Sequence, residues 1–215
     1  MSEYHKIQSV FMRDTAARKK YLLEGQWSLP ELEYLANSKW TWTEKVDGTN
    51  IRIICEEGRV TFGGRAEGSQ IPATLVAKLN AIFLPLEETL KIVFAESPHV
   101  VLYGEGYGDK IQKIGGQYRS DQNFVLFDVK IGDWWLQRAD VEDIAFNLGL
   151  GVVPVVGTGT LLEAIEYTKQ GFKSKWGDFQ AEGLVVRPAT ELRARSGHRI
   201  ITKVKHKDFP SSTQQ

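Results

Sequence analysis

A chain of 215 residues is long enough for one substantial domain and short for two. Its 42% hydrophobic and 25% charged residues exclude a disordered, fibrous or membrane-embedded composition. Lys plus Arg equals Asp plus Glu at 27 each, so a protein that coats nucleic acid through bulk charge is excluded, and any basic surface must be local. The lone cysteine, Cys55, rules out an intrachain disulfide framework and, following Ile53 and Ile54, reads as a buried structural thiol. Residues 1–20 are polar and charged, without the apolar core of a secretory signal. The most apolar long stretch, residues 71–93, is broken by Lys78, Pro85, Glu87 and Glu88, so no membrane span is expected. A cytoplasmic protein is the expectation.

In chain order, Ser28 ahead of Leu29-Pro30-Glu31 predicts a short helix through Leu35. Residues 40–44 read as a strand that enters a turn at Asp47-Gly48. Residues 51–53 and 60–62 read as paired strands joined at Glu57-Gly58. Helical spacing over 72–83 places Leu75, Leu79 and Ile82 or Phe83 on one face. Strands are predicted at 100–107, 124–131 and 134–136, the last two joined at Gly132-Asp133. A helix over 140–148 stops at Gly149. Thr160 and Glu163 match a capping box that opens a helix to about Lys173, and residues 183–187 and 199–205 form the last strands. Strand pairs interrupted by isolated helices argue for an α+β fold with a largely antiparallel sheet.

The chemistry concentrates at strand ends. Glu44-Lys45-Val46-Asp47-Gly48-Thr49-Asn50 puts a lysine between a strand and a turn. Glu105 lies at the end of an apolar strand, Phe127 in another, and Glu182 just before a third. Lys203 and Lys205 share one face of the last strand, because side chains repeat every second residue. Charged groups at the margins of apolar strands are costly unless paired or functional.

Taken in this order, these segments resemble the covalent nucleotidyltransferase superfamily of polynucleotide ligases and capping enzymes. The shared signature is Lys-x-Asp-Gly, a Gly-Glu strand, a Phe-containing strand, a Glu-Gly strand and a Lys-x-Lys strand. Asn50, where DNA ligases and capping enzymes usually carry Arg, and Glu44 before the lysine bring the chain nearest to ATP-dependent RNA ligases, in particular the second phage type and its RNA-editing relatives. The resemblance implies a ligase-type adenylyltransferase domain of antiparallel sheets and flanking helices enclosing a nucleotide pocket. It implies Lys45 as the nucleophile that forms lysyl-AMP, with Lys203 and Lys205 gripping phosphates. It implies nucleotide contacts from Glu44, Asp47, Gly48, Asn50, Arg65, Glu105, Phe127 as the base-stacking ring, and Glu182. Glu182 and Glu105 become the metal carboxylates, for Mg²⁺ with Mn²⁺ as a substitute.

The residues support that chemistry on their own terms. A lysine with a pKa of about 10.4 must lose its proton before it attacks the α-phosphate of ATP, and neighbouring cations favour that loss. The same cations stabilise charge on the transferring phosphate. Mg²⁺ keeps several waters and needs few carboxylates. The expected partner is RNA with 5′-phosphate and 3′-hydroxyl ends, in a host cytoplasm if the gene is phage-borne. Alternatives are a minimal ATP-dependent DNA ligase, a GTP-using capping-type guanylyltransferase and a non-catalytic nucleic-acid-binding module. No P-loop, Rossmann or zinc spacing is present.

Two further expectations follow. The run from Arg187 through Arg193, Arg195, Arg199, Lys203, Lys205 and Lys207, with Glu191 its single acid, would suit a phosphodiester backbone. Lys110, Lys113, Tyr118 and Arg119 form a polar loop placed to cover substrate. The family's further C-terminal OB or helical domain has no counterpart in the ten residues after Lys205. A single nucleotidyltransferase domain over 1–215 is therefore expected, with an accessory protein for docking substrate.

Overall fold

The structure is a computed structural model that describes residues 3–16, 21–95, 97 and 99–210. The chain first forms β1 (Gln8–Ser9), β2 (Phe11–Arg13), β3 (Leu22–Trp27), α1 (Pro30–Tyr34) and β4 (Trp40–Glu44). It continues through β5 (Thr49–Glu56), β6 (Arg59–Gly63), α2 (Ala73–Phe83), α3 (Glu87–Val93), β7 (His99–Gly108), α4 (Gly115–Tyr118), β8 (Gln122–Ile131), β9 (Trp134–Trp135) and α5 (Arg138–Asn147). It ends with β10 (Val155–Gly159), α6 (Leu161–Gln170), β11 (Gly183–Pro188) and β12 (Thr202–Lys205). These elements fall into two compact units. One comprises Met1–His5 with Asp47–Val153, the other Lys6–Val46 with Pro154–Gln215.

The Asp47–Val153 unit is built on a five-stranded sheet in the order β6-β5-β7-β8-β9, antiparallel throughout. Alternation sends Ile51, Ile53, Val100, Leu102, Phe124 and Leu126 to one face. Leu75, Leu79 and Phe83 of α2 and Val141 and Ile144 of α5 cover that face, as helical spacing requires. The predicted β5–β6 hairpin turns at Glu57-Gly58, both with positive φ. Cys55 is in this core, and burial, aided by Glu87, pushes its thiol up to about 12.

The other unit carries a five-stranded sheet in the order β1-β12-β11-β4-β10, with β1 parallel to β12, and a small β2–β3 ribbon. Trp40, Leu184, Val186 and Val204 pack with Leu161, Ala164 and Ile165 of α6 and Leu32 of α1. The predicted capping box is formed: Thr160 Oγ1 accepts from Glu163 N–H (3.1 Å), and the Glu163 carboxylate accepts from Thr160 N–H (2.7 Å). α6 ends at Gln170, three residues short of the expected end, because Gly171 leaves the helix. Ser28 does not cap α1 as its position suggested. Its hydroxyl donates to the Ser9 carbonyl instead, and Leu29 occupies the cap position. The α+β class with antiparallel sheets holds. Among the described residues no helix is long and apolar enough to cross a membrane.

Thr160→Ala removes the acceptor for a backbone N–H of the first turn of α6. It should cost about 1 kcal/mol, a melting temperature lower by about 2–4 °C in a chain of this size. Thermal unfolding followed by circular dichroism checks this, and an unchanged midpoint would show that α6 is held by packing alone.

Candidate active site

Strand register brings one group of the expected residues together, within the Lys6–Val46 and Pro154–Gln215 unit. β4 lies between β10 and β11, so it is hydrogen-bonded on both sides, and Leu184 is paired with Glu44. One residue on, Lys45 N–H donates to the Gly183 carbonyl (2.9 Å), and Gly183 is in turn registered with Lys205. Three neighbouring strands therefore bring Lys45, Glu182 and Lys205 to one end of the sheet. Gly183 has φ of 152°, and a Cβ there would lie 2.0 Å from the Val204 carbonyl oxygen. Only glycine lets β11 start this close to β12.

The Glu182 carboxylate then joins two ammonium groups. Lys45 Nζ donates to Oε2 and Lys205 Nζ to Oε1, both at 2.6 Å. Burial alone would raise the Glu182 carboxyl, but Lys45 and Lys205 outweigh it and hold the group below the usual carboxylate range. Glu182 is thus an ionised carboxylate in a mostly buried setting. Lys203 pairs in register with Val185 and shares the half-buried side of β12 with Lys205.

Glu44 directly precedes Lys45, so period-2 alternation turns it to the opposite, core-facing side. It is 1% exposed, and its carboxylate accepts from Ser174 Oγ (2.6 Å) and Lys175 N–H (2.8 Å). Burial raises its carboxyl, partly offset by these two donors. Glu44 therefore anchors the segment that leads from α6 to Glu182. Ser174 had no signal in the sequence, since only the fold brings it to Glu44.

A separate group of the expected residues lies in the Asp47–Val153 unit. The Asp47-Gly48 turn is clasped by the loop after β7. Asp47 N–H donates to Tyr118 Oη, and Gln112 Nε2 donates to the Gly48 carbonyl, each at 3.1 Å. Tyr118 is buried, so it supports the turn rather than covering substrate as its loop position suggested. Lys110 and Lys113 of the same loop are exposed. A Cβ at Gly48 would sit 2.4 Å from the Gly106 carbonyl oxygen and 2.6 Å from Glu105 Cγ, so the turn packs directly on the strand that carries the acid.

Glu105 and Asn50 are cross-strand partners and project from the face of the sheet opposite the core. Gly104 and Gly106 flank Glu105 because the core side is filled there: a Cβ would lie 2.2 Å from the Phe124 ring and 2.5 Å from Leu75. Phe127 is the extra residue of a β-bulge in β8, where Tyr103 pairs with Asp128 and Gly104 with Leu126. Its ring meets Tyr4 edge-on at 5.1 Å. Asp128 beside it is fully buried and accepts from Tyr4 Oη (2.6 Å), a structural use invisible in the sequence. Arg65 is exposed, just beyond Gly64.

The basic run is less cationic in the fold than in the sequence. Arg199 is buried and bound at both ends of its fork to Glu191 (2.6 and 2.9 Å), and Arg187 is buried as well. Arg193, Arg195 and Lys207 remain exposed. No group of three or more metal-ligating side chains occurs among the described residues. Glu182 is an ionised carboxylate of the kind Mg²⁺ takes one or two at a time, with water completing the shell, and a lysine would have to release one of its oxygens first.

The fold matches solved structures of an RNA ligase from Naegleria gruberi. An apo variant aligns with TM-score 0.68 at 17% identity, over 96% of this chain and 56% of that one. A variant with ATP and manganese aligns with TM-score 0.68 at 16% identity, over 97% and 59%. A third, with AMP and manganese, gives TM-score 0.63 at 18% identity, over 82% and 52%. The chain thus spans between half and three-fifths of the length of these structures. The family model for RNA ligase matches residues 38–205, from just before β4 to the last residue of β12. The chain belongs to the RNA ligase family.

Proposed function

We propose that the chain is an ATP-dependent RNA ligase that works through lysyl-AMP on Lys45 and joins 5′-phosphate to 3′-hydroxyl ends. The observation that carries this reading is the Glu182 carboxylate held between Lys45 and Lys205. One carboxylate, one nucleophilic amine and one further cation are what nucleotidyl transfer needs at the α-phosphate. The family match supports the reading.

In the first step Lys45 leaves its ion pair with Glu182, gives up a proton and attacks the α-phosphorus. An N–P bond forms, the bond to the bridging oxygen breaks, and pyrophosphate departs. Lys203 and Lys205 offset the negative charge of the leaving phosphates. Glu182 would hold Mg²⁺, or Mn²⁺ as a substitute, and Glu105 is the other candidate carboxylate. When bound, the metal supplies charge neutralisation. In the second step a 5′-phosphate oxygen attacks the lysyl-AMP phosphorus and Lys45 leaves as the free amine. In the third, a 3′-hydroxyl attacks the activated 5′-phosphate and AMP leaves.

Phe127 is assigned to adenine, and Asn50, Arg65 and Glu105 to the sugar and phosphate side. Asp47 and Gly48 set the turn. Glu44 is a positioning residue, since its carboxylate fixes the 174–175 segment. Both units are assigned to one nucleotidyltransferase domain over residues 1–215, acting in a cytoplasm. An accessory protein is assigned to docking the polynucleotide.

Lys203→Ala and Lys205→Ala should each slow adenylylation at least tenfold, about 1.4 kcal/mol of transition-state stabilisation. Rapid-quench kinetics on variants with native circular dichroism measures this, and near-normal rates in both would remove the final lysines from the mechanism. Nick sealing provides the substrate test. A nick with RNA on the 3′-hydroxyl side should be sealed faster than its all-DNA counterpart, because the 2′-hydroxyl offers a donor and an acceptor. Sealing should also fall more steeply with salt than self-adenylylation does, since Arg193, Arg195 and Lys207 are exposed and cations on a surface that meets a phosphodiester backbone make binding salt-dependent. Equal or faster sealing of all-DNA nicks would overturn the RNA assignment.

A further inference from the structure

Arg52 is two residues beyond Asn50 on β5 and projects from the same, non-core face of the sheet as Asn50 and Glu105. A guanidinium in a sheet is expensive to bury unless its donors are used. Arg52 is nevertheless only 3% exposed. Its Nε donates to the Gly64 carbonyl (2.7 Å), which fixes the backbone one residue before Arg65. Room for the guanidinium comes from Gly63, where a Cβ would lie 2.9 Å from Nη2. Nη1 is buried and has no hydrogen-bond partner among the described residues. Asn50 Oδ1 on the same face is likewise buried and without a partner.

Buried polar atoms are nearly always paired, and leaving one unpaired costs roughly 1–3 kcal/mol. Here an orphan donor and an orphan acceptor sit at positions i and i+2 of one strand, beside Glu105. A phosphate oxygen, which only accepts, would satisfy Arg52 and leave Asn50 unpaired. A hydroxyl both donates and accepts, and two vicinal hydroxyls match the pair.

We propose that Arg52 is a specificity residue of the nucleotide site, donating through Nη1 to a ribose hydroxyl of ATP while Asn50 accepts from the adjacent hydroxyl. This rests on the adenylyltransfer reading given above. Arg52 also acts as a positioning residue for Arg65 through the Gly64 carbonyl. The sequence held no hint of this, because an arginine inside a strand reads as a solvent-facing residue until its burial is known.

The test is adenylylation kinetics with ATP, 2′-deoxy-ATP and 3′-deoxy-ATP for wild type, Arg52→Met and Arg52→Lys. Wild type should prefer ATP at least tenfold over one of the deoxynucleotides, and Arg52→Met should lose most of that preference. A general loss from a shifted Arg65 would weaken all three nucleotides alike, so the ratio between them is the readout. An unchanged ratio in Arg52→Met, whatever the overall rate, overturns the proposal and leaves Arg52 a structural or phosphate-binding residue. Should Arg52→Met fail to fold, Arg52→Lys is read by the same ratio. If wild type forms no lysyl-AMP, the ligase reading fails by itself. Calorimetric binding of ATP against its deoxy analogues then decides Arg52 separately: loss of a wild-type preference in Arg52→Lys supports it, and an unchanged ratio rejects it.

Discussion

The ion triplet of Glu182 with Lys45 and Lys205 is the interaction on which the proposed chemistry of this chain depends. Each member comes from a different strand margin: the end of β4, the start of β11 and the end of β12. Their meeting is a consequence of register. Leu184 opposite Glu44 and Gly183 opposite Lys205 leave no other placement for the three side chains. A one-residue slip of β11 would turn Leu184 and Val186 out of the core, so hydrophobic burial enforces the pairing that brings the triplet together. The triplet also explains why an acid is tolerated at a buried strand margin. Two ammonium groups offset its desolvation and keep it ionised.

Both sheets use their two faces in the same way. One face is apolar and carries the core, under α6 and α1 in one unit and under α2 and α5 in the other. The opposite face carries Lys203 and Lys205 in the first case and Asn50, Arg52 and Glu105 in the second. The chain passes from Lys45 and Val46 in one unit to Asp47 in the other, so the 45–50 segment contributes residues to both. Two buried polar atoms without a hydrogen-bond partner among the described residues, Asn50 Oδ1 and Arg52 Nη1, lie on the face that carries Glu105.

Much of this was legible in the sequence. The strand at residues 40–44, the capping box at Thr160, the hairpin at Glu57-Gly58 and the two-residue spacing of Lys203 and Lys205 all follow from local rules, and each is present. Less legible were features that arise only when distant segments meet. The place of Glu44 beside Lys45 points to a nucleotide contact, and nothing in its sequence neighbourhood announces its burial. Strand alternation turns it to the other face, where Ser174 receives it. The bulge at Phe127 upsets simple alternation, so the exposure of its ring and the burial of Asp128 were unreadable from spacing. The β1–β3 segments are short and polar, and β1 is defined by its pairing with β12 rather than by its own pattern. The basic run from Arg187 to Lys207 shows the opposite error, since counting charges missed that Glu191 neutralises Arg199 inside the fold.

The central claim is that Lys45, paired with Glu182 in the free protein, is the atom that receives AMP. Peptide-level mass spectrometry after incubation with ATP and Mg²⁺ tests it most directly. The predicted result is one AMP per chain on the peptide containing Lys45, acid-labile as a phosphoramidate and absent in Lys45→Ala. AMP on any other lysine, or an adduct that persists in Lys45→Ala, would contradict it.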